Sequence, residues 1–261
     1  MRLKEAAGWN QTESDWLTLM RLAPETCFGL EFDGTLRATT TAVLYERRLA
    51  WIGMVLTDPN YRRRGFGHKL MEHTLATLAA LQVEWIKLDA TEMGARLYRD
   101  LGFEEEAPIE RWSGRWSRPA GVQAGNAVTE AGGWVSFDTS AFGADRSALL
   151  AMLAPLGAAS IAGEAYAMGR PGSRAAYFGP CVSKFTESAR ELLIWFLTRR
   201  PGEPVYWDLL PANSEAVLLA RACGFEPVRR LVRMVRRGQP GAVPLERNDR
   251  RVFAIAGFEY G

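Results

Sequence analysis

The chain is poor in cysteine. Its 261 residues include three (Cys27, Cys181, Cys223), an odd number without pattern. That excludes a disulfide framework or a zinc-finger spacing, and it fits a reducing, cytoplasmic compartment with no metal. Long apolar runs are missing too, so no segment has the length of a membrane span. The start, Met1-Arg2-Leu3-Lys4-Glu5, lacks the apolar core of a signal peptide. A formal net charge of +2 gives no general nucleic-acid signal, and the arginines from Arg229 to Arg237 read as a solvated face. The dinucleotide fingerprint G-x-G-x-x-G fails at Leu70, and no G-x-x-x-x-G-K-[ST] occurs.

What is present centres on Val55 to Leu70. An apolar strand runs into the turn Asp58-Pro59-Asn60, then three arginines (Arg62, Arg63, Arg64), then Gly65-Phe66-Gly67-His68 at the mouth of an amphipathic helix. Glycines there leave backbone N–H groups open, and those groups with the positive end of the helix dipole make an anion site. A phosphate or pyrophosphate fits such a site.

The same pattern, Arg62-x-x-Gly65-x-Gly67 after a strand and before a helix, resembles motif A of the GNAT superfamily of acetyl-CoA-dependent N-acyltransferases. The elements around it follow the GNAT order. Two short helices over 3–21 break at Gly8-Trp9-Asn10. Strands follow over Cys27–Phe32, Leu36–Tyr45 and Leu49–Thr57, with an Asp33-Gly34 hairpin between the first two. Then come the motif helix over about 66–82, a strand from Val83 to Leu88, a helix from Thr91 to Leu101 ended by Gly102, and a strand from Phe103 onward. The chain begins inside the first helix, where GNAT domains usually start with a short strand.

The second half repeats the first weakly. Val205-Tyr206-Trp207-Asp208, then a helix ending Cys223-Gly224-Phe225-Glu226, matches Ile86-Lys87-Leu88-Asp89, then a helix ending Leu101-Gly102-Phe103-Glu104. Between the second copy's motif strand and helix stands Cys181-Val182-Ser183-Lys184-Phe185-Thr186 in place of R-x-x-G-x-G, and Ala220 replaces Tyr98. The expectation is an α/β (α+β) protein of tandem GNAT folds with mixed sheets flanked by helices. Residues 1–115 would bind acetyl-CoA, 116–126 would be a linker, and 127–261 a degenerate copy that completes the acceptor pocket. The apolar tail Phe253–Tyr260 is expected to dock as a strand.

The resemblance implies roles. Met54, Val55, Leu56 and Thr57 would hold the pantetheine arm through backbone groups; Arg62, Arg63, Arg64, Gly65, Phe66, Gly67 and His68 would surround the pyrophosphate. Tyr98 would protonate the leaving thiolate. The general base stays open: Leu49 to Thr57 holds no carboxylate, Asp89 is the nearest one and reads equally as a helix cap, Glu31 and Asp33 are weaker choices, and a water chain needs no residue. Trp9, Asn10 and Trp51 would shape the acceptor pocket. The acceptor would be a small-molecule or peptide amine, with no nucleic acid or membrane as partner and no signal for oligomeric state. A non-catalytic acyl-CoA sensor, or a transferase using a longer acyl-CoA or a hydroxyl acceptor, also fits these residues.

Overall fold

The computed structural model describes residues 1–116 and 134–261, so the expected linker lies, apart from Trp116, outside the described residues. The chain forms two compact units. Unit one comprises Met1–Glu106, Val232–Pro244 and Phe258–Gly261; unit two comprises Ala107–Leu231 and Leu245–Gly257.

In unit one the order is α1 (Arg2–Ala6), α2 (Glu13–Leu22), β1 (Cys27–Phe32), β2 (Thr35–Tyr45), β3 (Leu49–Thr57), α3 (Phe66–Ala80), β4 (Trp85–Ala90) and α4 (Glu92–Asp100). Thr12 and Asp15 close a reciprocal capping box at the start of α2. Asp33 and Gly34 both take positive φ, 52° and 63°, which matches a two-residue hairpin turn to the twist of β1 and β2. These strands and β3 pair antiparallel, and β3 pairs parallel with β4 across the α3 crossover. Ala42, Ile52, Met71, Leu78, Ile86 and Leu88 form the core beneath α3 and α4. Alternation along the strands sends Trp51, Gly53, Lys87 and Asp89 to the opposite face.

Unit two continues with β5 (Glu104–Arg115), α5 (Val135–Phe142), α6 (Ser147–Leu153), β6 (Ala158–Ile161), β7 (Ala165–Arg170), β8 (Ala176–Ser183), α7 (Thr186–Thr198), β9 (Pro204–Leu209), α8 (Ser214–Ala222), β10 (Glu226–Arg237) and β11 (Val252–Ala254). Within it the strands lie in the order β5-β9-β8-β7-β6, with β11 on β8. Phe178, Trp207 and Phe225 stack edge to face through its core, with ring centres 5.3 and 5.5 Å apart.

The internal repeat is visible in atomic detail. Helix α4 ends with Phe103 N–H on Tyr98 O and Gly102 N–H on Arg99 O, each at 3.0 Å; α8 ends with Phe225 N–H on Ala220 O and Gly224 N–H on Arg221 O, also at 3.0 Å. Both glycines are left-handed, φ 81° and 78°, so each helix stops on the same Schellman motif.

One arrangement differs from the sequence expectation. The strand after each of these helices does not stay with its own repeat. Glu110–Arg115 of β5 pairs antiparallel with β9 in unit two, and Val232–Arg237 of β10 pairs antiparallel with β4 in unit one. The two strands have equal length and nearly the same alternation of buried and exposed positions, so either pattern satisfies either sheet edge. The tail also differs: only Val252–Ala254 is strand, although Ile255–Gly257 and Glu259–Gly261 are buried.

Candidate active site

The predicted cofactor residues converge in unit one around a break in β3. The strand pairs with β4 only over Leu49–Trp51. From Ile52 to Thr57 its β4-facing edge has no strand partner among the described residues. On the other edge, Thr39 is opposite Leu56 while Thr41 is opposite Gly53, so β3 carries one extra residue against Thr40. That bulge sits at Met54, whose φ is 49°, and Thr39 Oγ1 donates to Met54 O at 2.9 Å. The bulge and the parting from β4 leave the β4-facing backbone edge from Val55 to Thr57 without a strand partner among the described residues, while the Met54 carbonyl is taken by Thr39.

The loop that follows is tied down by Asp58. Its carboxylate, 2% exposed, accepts from Arg2 Nη1 at 2.8 Å and Arg37 Nη1 at 3.0 Å. It also accepts from the Asn60 N–H at 3.1 Å, capping a short 3-10 turn over Pro59–Tyr61. The Arg2 hydrogen bond, helped by Asn60 and Arg37, holds the Asp58 carboxyl below the usual carboxylate range. Arg37 lies over the Tyr61 ring at 4.0 Å, and Arg64 lies 5.0 Å from Tyr61 and 5.3 Å from Phe32. Arg62, Arg63 and Arg64 are exposed, and Arg63 takes a positive φ of 60°.

Gly65 begins α3 in the left-handed conformation, φ 79°, with open space where a side chain would project, and no side chain caps the helix. A Cβ on Gly67 would press on Thr57 Oγ1 at 3.3 Å, so loop and strand meet closely here. Open helix N–H groups, flanking arginines and an unpaired strand edge fit a pyrophosphate carrying an extended amide-rich arm. His68 is exposed on the first turn and pairs with Glu72 at 3.2 Å. Among the described residues no group of three His, Cys, Asp or Glu side chains is placed to hold a metal ion. Nor is any helix there long and apolar enough to cross a membrane.

Tyr98 lies in the helix-side core with Ile52 and Leu88, 8% exposed. Burial pushes its phenol far above the usual tyrosine value, so it stays protonated at any working pH. Its hydroxyl makes no hydrogen bond among the described residues.

Asp89 is not the helix cap that one reading offered. Thr91 caps α4, accepting from the Gly94 N–H at 3.2 Å. Asp89 instead takes a bidentate pair from Arg233, at 2.9 and 3.1 Å, with its side chain wholly buried. Arg233 in turn lies 4.5 Å over the Trp51 ring. Trp51 is buried under residues 258–261: its Nε1 donates to Phe258 O at 2.9 Å, and a Cβ on Gly261 would meet its ring at 2.6 Å. Asn10 is buried and Trp9 half-buried at the break between α1 and α2.

One residue at this face escaped the sequence reading. Glu259, 1% exposed, crosses β3 at Gly53, where an added Cβ would stand 2.8 Å from Glu259 Cα. Gln11 Nε2 donates to Glu259 Oε2 at 2.9 Å. The signal available was Gly53 itself, since a lone glycine inside an apolar strand marks close approach of another backbone.

Unit two fills the equivalent space with its own chain. β8 pairs with β9 only over Ala176–Phe178, again parting beyond. There β11 pairs with Cys181 and Val182 of β8, while the Ile255 N–H donates to Asp208 O of β9 at 2.9 Å. A Cβ on Gly179 would meet Ile255 O at 2.1 Å. The gap is occupied by peptide, and the glycine-bearing loop is missing, which is the physical content of degeneracy.

Comparison with known proteins agrees with this geometry. The family model described as "Acetyltransferase (GNAT) family" matches residues 3–103, and the one described as "Acetyltransferase (GNAT) domain" matches residues 135–253. A solved protein from Pyrococcus horikoshii, assigned as an acetyltransferase, superposes with a TM-score of 0.82 at 21% identity, over 95% of this chain and 84% of that one. A tandem GNAT protein from the clavulanic acid biosynthesis pathway gives a TM-score of 0.59 at 17% identity, over 92% and 93%. A GCN5-related N-acetyltransferase from Sphaerobacter thermophilus gives 0.60 at 15%, over 83% and 81%. At these identities the structural likeness speaks for the fold alone. No curated protein matches the sequence significantly. With a GNAT model matched on each half and the fold of both built as described, this chain belongs to the GNAT acetyltransferase family as a tandem, two-domain member.

Proposed function

We propose that the chain is an N-acetyltransferase that moves acetyl from acetyl-CoA to an amine by direct attack on the thioester. The observation that carries this reading is the contrast between the units. Unit one keeps the parted, bulged β3 and the uncapped Gly65–Gly67 helix mouth, whereas unit two has its corresponding gap filled by β11.

Acetyl-CoA supplies an acyl carbon activated by sulfur. The chain supplies the rest. Arg62, Arg63, Arg64 and the N–H groups from Gly65 to His68 hold the pyrophosphate, and Met54 to Thr57 hold the arm. A backbone N–H at Val55 or beside it donates to the thioester oxygen, where negative charge develops. Tyr98, neutral and with no hydrogen bond from its hydroxyl among the described residues, donates its proton to the departing thiolate from the helix side of β3. Asp89 serves poorly as a base, because both its oxygens already accept from Arg233. Its role is to fix Arg233 over Trp51, which backs the acceptor side from beneath residues 258–261, while Trp9 and Asn10 stand at the helix break. The three free thiols accord with a reducing, cytoplasmic setting.

A thermal-shift titration with acetyl-CoA, CoA and NADH tests the cofactor. A rise in melting point with both CoA species and none with NADH supports the reading. No rise with any of them sinks it. Release of CoA thiol in the presence of amines then separates a transferase from a protein that only binds acyl-CoA.

A further inference from the structure

We infer that unit two carries a ligand site of its own, a cavity at the C-terminal end of α7 that takes a planar aromatic anion, a flat ring bearing a carboxylate or a phosphate. The inference does not rest on the acetyl-transfer reading, and it shares no residue with the predicted cofactor site.

The cavity has a volume of about 520 Å³, within the range of small-molecule sites. Trp195 and Phe196, in the last turn of α7, give it an aromatic wall. The start of β6 and Gly169 of β7 supply the rest. A Cβ on Gly169 would meet the Phe196 ring at 2.1 Å, so β7 lies against that ring with no side chain between. The Gly169 N–H donates to Gly157 O at 2.9 Å, so two glycines adjoin here. This part of the wall is bare backbone, which a flat ring can approach closely.

Arg199 and Arg200 supply the charge, and among the described residues no acidic side chain lines the cavity. Arg199 lies 4.9 Å over the Trp195 ring, and Arg200 lies 5.1 Å over the Phe196 ring. Stacking uses the face of a guanidinium and leaves its in-plane N–H groups for hydrogen bonds. Few of those are spent. The negative end of the α7 dipole favours cations here, yet it engages only Arg199 Nη1, which donates to Trp195 O at 3.0 Å. Arg200 has one long contact, 3.4 Å, to Glu203, whose side chain is 53% exposed. An exposed pair of that kind is weak and yields to a better-placed anion. The Trp195 indole N–H, on a residue 7% exposed, makes no hydrogen bond among the described residues. Aromatic rings receive a flat apolar body, and guanidinium edges receive two oxygens of a carboxylate or phosphate together. A cation is repelled there, and an anion without a ring leaves the aromatic wall unfilled.

The test is isothermal titration of the full chain with phenyl phosphate, indole-3-acetate, inorganic phosphate and benzylamine. The titrations are repeated in Gly65→Arg, which closes the α3 mouth as a rival anion site. At least one ring anion should bind one to one, in both proteins, about tenfold or more tighter than inorganic phosphate and benzylamine. Whichever ring anion binds tighter names the anionic group. Arg199→Gln and Arg200→Gln should each weaken its binding about tenfold, the worth of one charged hydrogen bond, and the double variant should abolish it. Arg199 is exposed and Arg200 partly so, and melting temperatures check that the variants fold. If the double variant melts early, the single variants carry the test. No binding of either ring anion, an equal affinity for inorganic phosphate or benzylamine, or full affinity in the arginine variants overturns the site. Binding that disappears in Gly65→Arg belongs to the helix mouth of unit one and overturns it as well.

Discussion

Asp89 and Arg233 stand directly opposite each other on antiparallel strands, joined by two hydrogen bonds of 2.9 and 3.1 Å although 144 positions separate them in sequence. The same relationship recurs in unit two. There Arg111 faces Asp208 with bonds of 2.7 and 2.6 Å, and its guanidinium lies 4.7 Å over Tyr206 and 5.2 Å over Tyr177. A carboxylate at the end of one strand, an arginine on the exchanged strand and an aromatic ring beneath it make one structural device used twice.

Breaking this device from one side should cost far more than removing it whole. Arg233→Met takes the bidentate guanidinium away from the buried Asp89 carboxylate and should destabilise the protein by about 3–5 kcal/mol. Adding Asp89→Leu should recover most of that loss. Urea midpoints of the two variants check this, and equal midpoints would show that the pair is not coupled.

Gly65→Arg places a bulky side chain at a left-handed position in the mouth of α3. Affinity for acetyl-CoA should disappear while the protein remains folded, since the space around this glycine is open. Isothermal titration reads the affinity, and circular dichroism reads the fold.

Tyr98→Phe should reduce turnover by roughly 10²-fold and leave acetyl-CoA affinity unchanged. Because burial raises the phenol well beyond its ordinary value, no basic limb of the pH profile belongs to Tyr98. The profile of wild type and of Tyr98→Phe should therefore share one shape on the alkaline side.

Asp58 gives the loop a pH dependence of definite sign. Its folded pKa lies below the ordinary value of 3.8, so the stability it contributes is complete above that value. That contribution is lost as pH falls through the lower folded value. Acid unfolding of Asp58→Asn should lack this portion of the curve, and its acetyl-CoA affinity at neutral pH should drop about tenfold, a loss of roughly one hydrogen-bonded anchor.

Burial pushes the Cys27 thiol up to about 11 and raises Cys181 and Cys223 as well. The native protein should therefore show little rapid reaction with a disulfide reagent at pH 8, and unfolding should expose three thiols. Thiol release from CoA is then measurable without interference from the chain.

Much of unit one could be read directly. β1 and β3 span Cys27–Phe32 and Leu49–Thr57 as their apolar patterns predict, and Gly102 ends α4 in the conformation its position demands. The glycine–arginine loop was legible because its physics is local: the helix mouth, the arginines and the turn lie within ten residues or so of each other. What escaped was nonlocal. Nothing beside Asp89 announces Arg233, and nothing beside Gly53 announces Glu259. The strand pattern of β5 resembles that of β10 so closely that the sequence could not say which repeat each would complete. Gly53 and Gly179 hold corresponding places before the part in β3 and β8, and each admits a crossing backbone. Read as a pair, they were the available clue.

The exchange of β5 and β10 has a consequence for biosynthesis. When the ribosome has made residues 1–106, unit one still lacks the strand for β4 and the segment that lies on Gly53. Neither exists until residues 232–237 and 258–261 have been translated. The nascent first half must wait with an open sheet edge, a period in which aggregation competes with folding. Cutting the gene between the repeats would thus yield two incomplete sheets rather than two domains, and co-expressing the fragments would be the way to regain one protein.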